Sequence, residues 1–158
     1  MKDGHGFLVG MTRRRNSEAE VLIDRVQEEK WVDRSAGINA REKADAPKTR
    51  VQEVVCDRAG VRVFVVDSDE RRAYEQGMRE EAMRRVEARW KKIQVRVEAG
   101  RLKDPAKIGA SVERSLQRNH GCRYFAWELK DGQLRFFEHP VNLPREQKYE
   151  GKYLIQTD

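Results

Sequence analysis

Residues 67–118, DSDERRAYEQGMREEAMRRVEARWKKIQVRVEAGRLKDPAKIGASVERSLQR, decide the fold. Asp67 or Ser68 suits a helix N-cap, and Asp69 and Glu70 put negative charge into the first turn. Apolar residues then recur at Met78, Ala82, Val86, Trp90, Ile93 and Val97, in steps of 4, 4, 4, 3 and 4. That spacing is one stripe of an α-helix. Glu80 with Arg84, Glu81 with Arg85 and Glu87 with Lys91 are acid-first pairs four apart, each adding roughly 0.2–0.5 kcal/mol to an exposed helix. Gly77 costs about 1 kcal/mol relative to Ala, and Gly100 stops the helix. Asp104-Pro105 supplies an N-cap and a first-turn proline for a second helix with its stripe at Ile108, Val112 and Leu116. Neither stripe can be hidden by its own helix, so an antiparallel αα-hairpin is expected.

Outward from this hairpin the chain reads as strands. Residues 6–12 form a continuous apolar run that fits a strand buried on both faces. Ser17 and Glu20 make a capping box for a helix to about Glu29, with Leu22 and Val26 inward and Trp31 closing the unit. Residues 33–48 are polar and read as an irregular connection. Arg50–Cys56 and Val61–Val66 flank Asp57-Arg58-Ala59-Gly60, a β-hairpin pattern. The second strand is apolar on both faces, so it is expected to be central, with the helical hairpin as its cover. Cys122–Leu129 and Leu134–Glu138 flank Lys130-Asp131-Gly132-Gln133, a stronger hairpin signal, and carry Phe125, Trp127, Phe136 and Phe137. Leu143–Tyr149 suits a short helix or turn, and Lys152–Thr157 a last strand. The expected fold is α+β: a mostly antiparallel sheet of two hairpins covered by a long αα-hairpin.

The 158 residues suffice for one domain with a real core. Yet the hydrophobic and charged fractions are both 38%, a lean composition suited to a thin fold. A net charge of +6 favours nucleic acid as a partner without requiring it. Met1-Lys2-Asp3-Gly4-His5 does not read as a signal peptide, and no apolar run approaches membrane-spanning length. A cytoplasmic protein with no membrane partner is expected. Cys56 and Cys122 fall in strand-like runs and are expected as reduced, partly buried thiols. His120, Cys122 and His139 lack a fourth ligand and a tight pattern, so no metal site is assigned.

Four stretches, taken in order, resemble bacterial insertion-sequence transposases of the DDE type. They are residues 4–16 (GHGFLVGMTRRRN), 69–75 (DERRAYE), 100–105 (GRLKDP) and 149–158 (YEGKYLIQTD). The resemblance implies a ribonuclease H-like core with two Asp and one Glu, holding two Mg²⁺ ions that drive DNA cleavage and strand transfer. It also implies a β-rich insertion domain that interrupts this core. The second Asp would lie before the strand matched by Phe7–Met11, and the Glu after the strand matched by Lys152–Thr157. All three carboxylates then fall outside this chain. Residues 1–31 would be a partial core strand and helix, 32–48 a linker, 49–149 the insertion domain, and 150–158 the return strand. On this basis the chain is expected to be a transposase fragment, non-catalytic alone, with no catalytic residue or cofactor of its own and Mg²⁺ only in the full-length family. Transposon-end DNA is the implied partner.

Candidate DNA-binding residues come from two places. Arg13, Arg14 and Arg15 close the first strand and could meet phosphates, with a solvated loop as the competing use. Arg85, Arg89, Lys92 and Arg96 form a basic stripe beside the apolar one, and the competing use is stems that shield the hydrophobic seam. Tyr124, Phe125, Trp127 and Phe137 could stack on bases or simply fill the core. Asp67, Asp69 and Glu70 end an apolar strand where a metal-binding carboxylate could sit, and serve equally as a cap with acidic first-turn residues. Tyr74, Arg79, Glu80 and Glu81 do not keep the spacing of the family's Tyr-Arg-Glu-Lys signature, because Gly77 stands where Arg is needed. Two other classes stand beside the transposase fragment. One is a protein-interaction or homodimerisation module built on the αα-hairpin. The other is a nuclease using Asp67 and Asp69.

Overall fold

In chain order the elements are β1 (Leu8–Met11), α1 (Ser17–Asp24), β2 (Val32–Asp33), β3 (Thr49–Val54), β4 (Arg62–Ser68), α2 (Asp69–Glu98), α3 (Pro105–Arg118), β5 (Phe125–Lys130), β6 (Gln133–Glu138), α4 (Asn142–Tyr149) and β7 (Lys152–Thr157). A computed structural model describes residues 7–11, 17–34 and 47–158. The fold is α+β. It divides into one unit of Met1–Glu75 with Tyr149–Asp158 and a second of Gln76–Lys148. The division falls inside α2.

The first unit holds a five-stranded antiparallel sheet in the order β1-β7-β4-β3-β2. Its middle strand is β4, as two apolar faces require. Val63 and Val65 point to one side, where Val54, Tyr149 and Leu154 meet Ala19, Leu22 and Ile23 of α1. On the other side the Arg62 and Arg71 guanidiniums lie over the rings of Phe64 and Tyr153, each 5.1 Å from the centroid. Cation–π contacts thus form on the opposite face of the sheet. The cover of this sheet's core is α1, where the sequence pointed to the αα-hairpin.

Three further expectations are corrected here. The apolar run at 6–12 is not buried on both faces where it is described: β1 is an edge strand, with Leu8 74% exposed, because β7 is its only neighbour among the described residues. The helix begun at Ser17 ends at Asp24, not near Glu29. Arg25 and Val26 donate to Leu22 and Ile23 carbonyls, and the Gln27 N–H leaves the helix for Gln52 Oε1 at 3.0 Å. The stretch taken as a 32–48 linker contains β2, paired to β3 through Val32↔Val51 and Asp33↔Arg50.

The second unit is built on the αα pair. Val86, Trp90 and Ile93 of α2 and Ile108, Val112 and Leu116 of α3 share a core with Tyr124, Phe125, Leu134 and Leu143. Trp90 stacks on Phe136 at 3.9 Å and 12°, and meets Phe125 edge-on at 4.6 Å. Met78, expected on the stripe, is 58% exposed. The connection between the helices follows its local chemistry. Arg101 and Leu102 N–H groups return to the Arg96 carbonyl, and Asp104 Oδ1 accepts from Ala106 N at 2.9 Å. β5 and β6 pair through Lys130↔Gln133, leaving a two-residue turn with Asp131 and Gly132 both at positive φ. This matches the turn that Asp-Gly favours. The two hairpins lie in separate sheets: β5–β6 stands alone, and β3–β4 belongs with the terminal strands. The boundary expected at residue 49 is replaced by one within α2.

Candidate nucleic-acid interface

The cations along α2 fall into two sets. Near the start of the helix each arginine has a carboxylate. Arg71 pairs with Glu75 at 3.0 Å, and Arg72 holds Asp69 at 3.1 Å together with Asp67. Further along, Arg84 and Arg85 both bind Glu81, the latter at 2.7 Å. These hydrogen bonds, Arg84 first, hold the Glu81 carboxyl below the ordinary glutamate range. Arg85, a candidate DNA-binding residue, is therefore partnered. Arg84 takes Glu81 where its sequence position had suggested Glu80.

Past Glu81 the pattern changes. Arg89 and Lys92 of α2, with Ile93, line a groove of about 270 Å³ completed by Ser111, Arg114, Ser115 and Arg118 of α3. Four cations surround it and no carboxylate lines it. Among the described residues none of the four has an ion-pair partner. The helix period explains the grouping. Arg89, Lys92 and Arg96 repeat in steps of 3 and 4, and Arg114 and Arg118 are four apart, so each set shares one helix face. Arg96 continues the α2 stripe without lining the groove. Like charges held around a small volume repel one another, so a bound anion would be favoured there.

Ser115 is 4% exposed, and its Oγ has no hydrogen-bond partner. The neighbouring polar groups are already committed. Ser111 Oγ donates to the Lys107 carbonyl at 2.8 Å, and Asn119 Nδ2 donates to the Ser115 carbonyl at 3.2 Å. Among the described residues the other orphaned polar atom is Trp90 Nε1. Trp90 lines a different groove, of about 290 Å³, with Phe125, Phe136 and Phe137, but Glu87 and Glu138 stand at that groove and oppose a phosphate backbone. Tyr124 and Phe125 are buried core residues, Trp127 is half-buried with its Nε1 bound to Glu113 at 2.8 Å, and Phe137 is exposed.

Arg13, Arg14 and Arg15 lie outside the described residues. Asp67 is no cap: Ser68 Oγ accepts from Arg71 N, and Asp67, 3% exposed, accepts from Arg50 at 2.7 Å and from Arg72. Burial lowers the Arg50 pKa, but the hydrogen bond and charge of Asp67, helped by Glu28, outweigh it and the net shift is upward. Asp69 ties the helix start to the chain before β3, accepting from Lys48 N at 3.0 Å while its own N–H donates to the Lys48 carbonyl. Among the described residues no three His, Cys, Asp or Glu side chains come together as a metal-binding group. His139 Nδ1 accepts from Val141 and Asn142 N–H groups at the start of α4. Both cysteines are free, and Cys122 is exposed where partial burial was expected.

Arg114, Arg118, Ser111 and Ser115 are the groove residues that the sequence did not single out. Their signal was present, as two pairs four apart on α3, beside a stripe read only for its apolar members. Comparison with protein-family models, curated proteins and solved structures returns no match for this chain. No helix among the described residues is long and apolar enough to cross a membrane.

Proposed function

We propose that this chain binds DNA through its phosphate backbone, as the insertion-bearing part of a DDE transposase, and that it is non-catalytic alone. The observation that carries the binding proposal is the groove of four unneutralised cations with no carboxylate. The chain's organisation supports the transposase assignment. The first unit is assembled from two separated segments, and residues 76–148 are inserted between them. β1 and β7, the strands that resemble the interrupted core, lie side by side. Asp67 and Asp69, the acids a nuclease would use, are held by arginines.

Fluorescence polarisation with a labelled duplex tests the proposal. Each phosphate contacted adds roughly 0.9 to the magnitude of the slope of log K against log salt, so affinity should fall as salt rises from 50 to 200 mM, by about 3.5-fold per phosphate. An Arg89→Gln/Lys92→Gln double variant should weaken binding and lower the magnitude of that slope. No binding by the wild type at low salt, together with a stable dimer in solution, would favour the interaction module instead. That alternative has less support, because Val86, Trp90 and Ile93 are buried inside their own unit.

A further inference from the structure

We infer that the groove between α2 and α3 seats one phosphate of a nucleic-acid strand, with the Ser115 hydroxyl donating a hydrogen bond to a phosphate oxygen. This rests on the DNA-binding proposal and adds a defined ligand group, a second helix and a neutral donor to it. A backbone-tracking surface needs only exposed cations. Here the cations from two helices surround a volume large enough for a phosphate, and a buried hydroxyl with no partner lies among them.

A buried hydroxyl left unpaired is costly, and natural proteins rarely keep one without a reason. Ser111 Oγ donates to the Lys107 carbonyl and Asn119 Nδ2 to the Ser115 carbonyl, so neither offers its proton to the Ser115 hydroxyl. That hydroxyl has its own proton to give to an incoming acceptor. The four surrounding cations require it to be negative. A phosphodiester oxygen meets both demands, and Arg114 and Arg118 can present paired N–H donors to the same group. A carboxylate carries the same single charge on the same number of free oxygens, so the choice of a strand phosphate rests on the DNA-binding proposal.

The competing state is a rotated Ser115 side chain that back-bonds to the carbonyl one turn earlier, as serines in helices do. In that state the hydroxyl is structural and takes no part in binding.

The test uses the full chain and a labelled duplex over a salt series. Arg114→Gln and Arg118→Gln should each weaken binding about tenfold and lower the magnitude of the salt slope, because each removes a charge from the phosphate seat. Ser115→Ala should weaken binding by about tenfold and leave the slope unchanged, because a neutral donor releases no counterion. Arg84→Gln, outside the groove, should change neither. If the wild type binds DNA and Arg89→Gln/Lys92→Gln weakens it, while Ser115→Ala and both α3 variants bind as wild type, the phosphate seat is overturned and the DNA-binding proposal stands. If the wild type binds no DNA, both fall together. Inorganic phosphate identifies the source: competition no greater than that of chloride at equal ionic strength supports a strand phosphate. Tight phosphate binding without DNA binding overturns it.

Discussion

Replacing Asp67 should unfold the five-stranded unit at lower denaturant without touching the aromatic core of the other unit. The Asp67 carboxylate is 3% exposed and accepts from two guanidiniums, Arg50 at 2.7 Å and Arg72. Breaking a buried pair by deleting one partner typically costs about 3–5 kcal/mol, because a charge is left stranded. Here the arginines are 34% and 37% exposed, so water reaches both heads and the stranding is partial. Asp67→Ala is therefore expected near the lower limit, about 3 kcal/mol. Asp67→Asn keeps the shape and one acceptor but turns an amide N–H toward an arginine, for about 2 kcal/mol. At a urea dependence of roughly 2 kcal/mol per molar, the Asn variant should lose about 1 M in midpoint. Hydrogen exchange read by segment should show lost protection in β3, β4 and β7, with β5 and β6 unchanged. An unshifted midpoint would refute the structural role. Wild-type stabilisation by Mg²⁺ that disappears in Asp67→Ala would instead make the residue a metal ligand.

Gly151→Ala should cost about 2–4 kcal/mol, since Gly151 has φ +81° and a Cβ there would stand 2.8 Å from the Ser68 carbonyl oxygen. Gly151→Asn, which tolerates the dihedral but not the contact, should fail to rescue it in the same thermal melt. Trp90→Ala should cost about 3–5 kcal/mol by removing the ring stacked on Phe136, and the near-ultraviolet circular dichroism signal of the second unit should fall with it. Glu81 is depressed by Arg84 and Arg85, so its contribution is present above the ordinary glutamate pKa and is lost as pH falls through the lower folded value. Glu81→Gln should therefore lower the melting temperature slightly at neutral pH and not at all in strong acid. High salt should shrink that difference, because the pair is exposed.

Local patterns announced local structure. Asp131-Gly132 specified the β5–β6 turn, and Asp104-Pro105 the start of α3, because each acts through its own backbone. The spacing of Val86, Trp90 and Ile93 named the buried face of α2. Met78 sits on the same period yet stays exposed, because periodicity marks a face and not the extent of what packs on it. Strand partners far apart in sequence were not legible. Nothing in β4 alone says that Val65 pairs with Leu154, or that β3–β4 joins β7 and not β5–β6. Of the two cap candidates Ser68 serves, and Asp67 was not separable from it in the sequence, because a short acidic side chain suits a helix cap and an ion-pair anchor alike. Its actual use depends on the β3–β4 register, which sets Arg50 directly opposite it. The groove was half legible. Arg89 and Lys92 stood out on a long charged helix, whereas Arg114 and Arg118 became part of the site only once α3 was placed beside them.

The position of β7 between β1 and β4 also dictates an order of assembly. Leu8 pairs with Thr157 and Val65 with Leu154, so the sheet cannot close until the whole of residues 76–148 has been made. Contacts within α2, α3 and β5–β6 span far shorter loops and so cost less entropy to form. The inserted unit should thus be complete while β4, with its fully buried Val63 and Val65, still waits with an open edge. A nascent or refolding chain would be most prone to associate in that interval, through β4, and β7 would act as its own late-arriving chaperone. Pulsed hydrogen exchange during refolding should find β5–β6 amides protected before those of β4, and the reverse order would refute this sequence of events.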